Sequence, residues 1–123
     1  MMVGETVDGA VVRIRRTIKD AHVEVTLVSG DEPSPVSPVD DTAYALLEST
    51  LGEVFPGTVA VPYVMLAATD SRHFHRVWPR VYRFTPFRMT DSQRASIHGV
   101  DERIAVDDLH DGIAWYRRLI EQL

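Results

Sequence analysis

The chain has no cysteine, so disulfide frameworks and thiolate metal sites are both excluded. It also lacks a long hydrophobic run. The longest apolar stretch, Val59 to Ala68, is broken by Pro62 and is too short to span a bilayer. A surplus of positive charge is missing as well: the formal net charge is −5, which favours solubility and argues against a nucleic-acid groove. Internal repeats and low-complexity tracts are absent. The N-terminus shows no basic segment leading into an apolar core, so no signal peptide is expected and the cytoplasm is the expected compartment. What is present, 123 residues of ordinary composition, is enough for one domain of common size.

Periodicity organises this material. Thr6 to Lys19 carries Val7, Val11, Ile14 and Ile18 at helical spacing, with Thr6 as a plausible N-cap and cations towards the C-terminal end. Arg13, Arg15 and Arg16 read as a solvated face. His22 to Val28 alternates, with Val23, Val25 and Leu27 on one side, as a half-buried strand would. Ser29 to Pro38 holds Pro33, Pro35 and Pro38, which favour an extended linker. Asp41 is placed to cap a second helix bearing Ala43, Leu46, Leu47, Leu51, Val54 and Phe55, ended by Pro56-Gly57. Val59 to Met65 reads as a strand covered on both sides, and Val81 to Phe84 and Phe87 to Met89 as strand interrupted at Pro86. Asp91 begins a short helical turn. Asp107 or Asp108 caps a last helix with Leu109, Ile113, Tyr116, Ile120 and Leu123 on its apolar face.

Two stretches could carry chemistry. His98 precedes Gly99, with Asp101 and Glu102 close behind; an imidazole ligates zinc well, and neighbouring carboxylates can orient it. The plainer alternative is a surface histidine on a charged loop, since one histidine is not a site. Arg72, in Thr69-Asp70-Ser71-Arg72, could hold a substrate carboxylate by paired hydrogen bonds, or could pair with Asp70 or Glu102 and only hold the loop. Thr69 and Ser71 could bind substrate or help stabilise an oxyanion. His73 is a possible site-lining residue. His75, His22 and His110 read as polar bystanders. Trp115 and Tyr116 suit core packing better than a stacking platform, and Asp107 and Asp108 are accounted for by capping.

Several segments together resemble a known family. Gly4-Glu5-Thr6, Ser34-Pro35-Val36-Ser37-Pro38, Val54-Phe55-Pro56-Gly57, Ala68 to Phe74, Val81 to Phe87 and Ile97 to Ile104 follow the order of the dinuclear-zinc metallopeptidases. That family includes the aminoacylases, carboxypeptidase S, acetylornithine deacetylase and succinyl-diaminopimelate desuccinylase. The likeness is strongest to the carboxypeptidase S and N-acyl-amino-acid hydrolase branch, with Asp101 standing where many relatives have asparagine. The resemblance implies an α/β fold, a sheet covered by helices. Residues 1–30 would be the last helix and strand of a ferredoxin-like lid or dimerisation module, 31–39 a proline-rich linker, and 40–123 the C-terminal part of the catalytic domain.

It further implies hydrolysis of the amide bond of small peptides or N-acyl amino acids with a free carboxylate. His98 would ligate one of two zinc ions, and Arg72, Thr69 and Ser71 would bind substrate. The family's His-x-Asp and Glu-Glu motifs, which supply further ligands and the general base, occur nowhere in this sequence. The expectation is therefore a fragment, inactive alone or active only with a complementary N-terminal chain, and open to homo-oligomerisation. Met1 would then be an internal methionine. The competing expectation is a non-catalytic remnant or interaction module that keeps the fold without the chemistry. A stand-alone ferredoxin-like binding domain is disfavoured by the shortage of strands before the linker.

Overall fold

The computed structural model describes residues 4–65 and 67–123. Met1, expected to be an internal methionine, Met2, Val3 and Leu66 of the apolar run lie outside the described residues. Five helices are present: α1 (Val7–Ile18), α2 (Thr42–Val54), α3 (Ser71–Phe74), α4 (Asp91–Ala95) and α5 (Val106–Ile120). None is long and apolar enough to cross a membrane. The chain divides into two compact units, Met1–Ser37 with Tyr63–Val81, and Pro38–Pro62 with Tyr82–Leu123.

In the first unit α1 begins as its sequence predicts. The Thr6 hydroxyl accepts from the Gly9 N–H at 3.0 Å, and Asp8 lies in the first turn. The Val7 N–H, another donor unsatisfied within the helix, reaches the Glu32 carboxylate. Lys19 ends the helix in a left-handed conformation, its N–H bonded to the Arg15 carbonyl. The three arginines are exposed as expected, and two are also engaged: Arg13 pairs with Glu5 at 2.6 Å, and Arg15 donates to the Val25 carbonyl at 2.9 Å. Ser37 binds both backbone groups of Val81, donating to its carbonyl at 2.8 Å and accepting its N–H at 2.9 Å.

The second unit holds a core of Leu51, Phe55 and Trp115, with Leu47, Val54, Ala60 and Leu119 against it. Asp41 caps α2 by accepting the Ala43 N–H, and Gly57, at φ 80°, turns the chain after the helix. Thr50 is fully buried and satisfies its hydroxyl on the Leu46 carbonyl. The packing of α2 on α5 brings Glu53 to Arg118. That hydrogen bond, and then the attraction of the same carboxylate, raises the arginine above its ordinary pKa. A raised pKa adds stability that is complete below the unfolded value and lost only as pH climbs past the folded one, so this contact persists through the accessible alkaline range.

α5 departs from its predicted seating. Leu109, Ile113, Tyr116, Ile120 and Leu123 are all exposed, whereas Gly112 and Trp115 are buried. The reason lies at Gly112: a Cβ built there would meet the Phe87 ring at 2.0 Å, so the ring occupies the space a side chain would take. The helix docks through its glycine face. Capping also shifts, since Ala105 is the N-cap and Asp107 and Asp108 fall in the first turn, where their charge opposes the dipole.

The expectation of an α/β fold is overturned, because no strand occurs among the described residues. Side-chain alternation tells which face of a strand would be buried, but a ladder also needs a second backbone about 4.8 Å away. His22 to Val28, Val59 to Met65, Val81 to Phe84 and Phe87 to Met89 form no ladder. Side chains serve some of their polar groups instead, Arg15 at Val25 and Ser37 at Val81. Val59, Val61, Tyr63 and Val64, expected under cover on both sides, are exposed. The described residues are therefore helical with no sheet, and neither the sheet covered by helices nor the closing strand of a ferredoxin-like module is present among them.

Candidate functional site

The two candidate stretches fall in different units. In the first unit, Thr69 and Asp70 lead into α3, whose first two residues are Ser71 and Arg72. The Arg72 and His73 N–H groups donate to the carbonyls of Thr69 and Asp70, closing a tight turn. The Thr69 and Ser71 hydroxyls hydrogen-bond each other, so both oxygens stand on one side of that turn. Arg72 Nη1 pairs with Asp31 Oδ2 at 2.6 Å, with both side chains partly exposed. Its Nε contacts His73 Nε2 at 3.4 Å. A guanidinium has five N–H donors, and these two contacts use two of them. The arginine is thus tied to an acid of the chain itself, with donors left over.

Asp31 was not legible from the motif. It lies 41 residues from Arg72, and nothing local in Gly30-Asp31-Glu32 distinguishes it from a linker acid. Neither Asp70 nor Glu102, the partners that spacing suggests, makes this contact.

In the second unit, α4 opens with a capping box in which Thr90 accepts the Gln93 N–H and Gln93 Oε1 accepts the Thr90 N–H at 2.8 Å. The helix runs only to Ala95, and the chain then turns. The Gly99 N–H donates to the Ser96 carbonyl at 2.8 Å, and a Cβ on Gly99 would meet that carbonyl oxygen at a tight 3.1 Å. His98 takes φ 63° and Asp101 φ 62°, both in the left-handed region. Each costs about 1–2 kcal/mol for a residue other than glycine. Glu102 Oε2 accepts the His98 N–H at 2.9 Å, and Arg103 Nη1 donates to the Asp101 carbonyl at 3.0 Å. Spacing suggested that the acids orient the imidazole ring; the contact made by Glu102 is with the histidine backbone.

His73 touches Arg72, His75 is half-buried, His22 contacts Asp20 and His110 is exposed. No group of three or more His, Asp or Glu side chains that could hold a metal ion occurs among the described residues. The described donors therefore do not by themselves fit a complete zinc site, which takes at least three protein ligands.

Comparison with known proteins places both turns within one match. The chain is 31% identical over 119 residues to the N-fatty-acyl-amino acid synthase/hydrolase PM20D1.1 of Danio rerio, which spans 95% of this chain and 23% of that protein. It is 31% identical over 119 residues to the probable carboxypeptidase S-like 2 of Dictyostelium discoideum, spanning 96% of this chain and 23% of the relative. With the N-fatty-acyl-amino acid synthase/hydrolase PM20D1 of Xenopus tropicalis the identity is 35% over 118 residues, 95% of this chain and 23% of the relative. The chain thus spans 23% of the length of each of these relatives. No solved structure matches it. Residues 1–122, which include the Thr69–Arg72 and Ile97–Arg103 turns, match one family throughout, and the chain belongs to peptidase family M20/M25/M40.

Proposed function

We propose that this chain is one part of a zinc-dependent hydrolase that cleaves the amide bond of small peptides or N-acyl amino acids bearing a free carboxylate. The observation that carries this reading is the match of residues 1–122 to a peptidase family whose similar members are named as hydrolases and carboxypeptidases. Arg72 binds the substrate carboxylate by exchanging Asp31 for it, a like-for-like replacement in which one carboxylate leaves a guanidinium and another arrives. Thr69 and Ser71 offer hydroxyls beside it. His98 contributes one zinc ligand. The remaining ligands and the general base come from outside this chain, because no ligand cluster occurs among the described residues and the sequence has neither His-x-Asp nor Glu-Glu.

The test is hydrolysis of a panel of N-acyl amino acids and dipeptides with zinc present, by this chain alone and together with a separate chain carrying the preceding part of a similar relative. No turnover alone, and turnover with the complement that His98→Ala abolishes, is the expected result. Arg72→Ala in the mixture raises KM by roughly tenfold to a hundredfold, the worth of a charge-assisted hydrogen bond to a carboxylate. Turnover by the chain alone that survives His98→Ala sinks the reading. A second reading, an interaction module without chemistry, is favoured by the absence of a ligand cluster among the described residues, and silence of the mixture with every substrate would support it.

A further inference from the structure

The direction in which the His98 imidazole leaves the chain is set by an uncommon backbone. His98 and Asp101, three residues apart, both hold positive φ, and neither is glycine. Residues other than glycine keep such a conformation only where their surroundings fix it. Three contacts do so within this turn. The Gly99 N–H closes on the Ser96 carbonyl, Arg103 holds the Asp101 carbonyl, and Glu102 Oε2 accepts the N–H of His98 itself at 2.9 Å. The first two act on neighbours of the histidine; the third acts on its own peptide.

We propose that Glu102 is a positioning residue: by holding the His98 N–H it keeps His98 left-handed and so aims the imidazole. The reason is geometric. Passing from φ near +60° to the ordinary value near −60° rotates Cβ by about 120° around the N–Cα bond, and the ring moves with it. A ligand that must meet a metal at about 2.0–2.1 Å tolerates no such rotation. Glutamate has the reach for this contact from four residues away, its carboxylate adds charge to the hydrogen bond, and Arg103 next in sequence holds the other left-handed residue. The purpose assigned to this geometry rests on the reading of His98 as a metal ligand; the geometry itself does not.

Isotope-labelled wild-type chain, Glu102→Ala and Glu102→Gln are compared by NMR. The readouts at His98 are amide hydrogen exchange, the HN–Hα coupling that reports φ, and the Hα–Hβ couplings that report the side-chain rotamer. In Glu102→Ala, exchange at His98 becomes about threefold to tenfold faster. Both sets of couplings move towards averaged values, while the amides of α5 keep their protection. Glu102→Gln, which retains an oxygen acceptor at the same reach, restores φ and rotamer. Unchanged His98 couplings in Glu102→Ala overturn the proposal. So does loss of protection throughout α5, which would make the contact a general structural one, and so does failure of glutamine to restore what alanine loses. No metal or substrate enters these measurements. A chain that hydrolyses nothing therefore leaves the positioning result intact, and a His98 indifferent to Glu102 leaves the hydrolase reading intact.

Discussion

Adding one methyl group at Gly112 tests how α5 is seated. In an exposed helix, alanine is worth about 1 kcal/mol over glycine. Here the new Cβ would lie 2.0 Å from one carbon of the Phe87 ring and 2.4 Å from another, so the ring or the helix must move. Overpacking of this kind costs about 1–3 kcal/mol. Gly112→Ala is therefore expected to lower stability by up to about 2 kcal/mol in urea unfolding. A variant more stable than wild type would show that the Phe87 ring swings away freely. Among the site residues, the sequence showed His98 and Arg72 as chemically capable but not what each would touch. Asp31 reaches Arg72 across 41 residues, a distance at which no local pattern signals contact, and Glu102 binds the His98 backbone, an interaction that residue type alone does not specify.

At the scale of elements, the capping box of α4 is the test case. Five residues make barely more than one turn, too short to be helical on propensity alone, so its ends decide whether it forms. Thr90→Ala removes the acceptor for the Gln93 N–H and is expected to cost about 1 kcal/mol, with Thr90→Ser nearly neutral. Amide exchange across Asp91–Ala95 measures both, and equal exchange in the two variants would refute the role of the cap. The starts of α1 and α2 were legible because a cap is local chemistry, whereas Thr90 and Ala105 were not singled out. Thr6 and Asp41 each bind an N–H two or three residues on, within reach of a short sequence window. The apolar stripe of α5 misled for the converse reason: Ile113 and Ile120 state a preference for burial, but Phe87, 25 residues before Gly112, selects the face that gets it. The four expected strands failed similarly. Alternation at Val23, Val25 and Leu27 encodes two faces, whereas the partner backbone of a ladder is encoded nowhere in the segment itself.

At the scale of the whole molecule, exposed apolar surface outweighs the core. Leu51, Phe55 and Trp115 are the buried hydrophobic residues among those described, while Ile113, Tyr116 and Ile120 on α5, Leu123 beyond it, and Val59, Val61 and Tyr63 before α3 face solvent. Apolar surface on this scale promotes association. Sedimentation is expected to show mass increasing with concentration over the micromolar range, and a monodisperse monomer that melts cooperatively would count against it. The chain also spans 23% of each of the relatives cited. The two tryptophans give a handle on each unit separately. Trp78, 56% exposed, belongs to the first unit, and Trp115, 2% exposed in the core, to the second. Their fluorescence is thus a pair of built-in reporters, one solvated and one dry. Replacing either with phenylalanine leaves a single emitter through which the melting of one unit can be followed without the other.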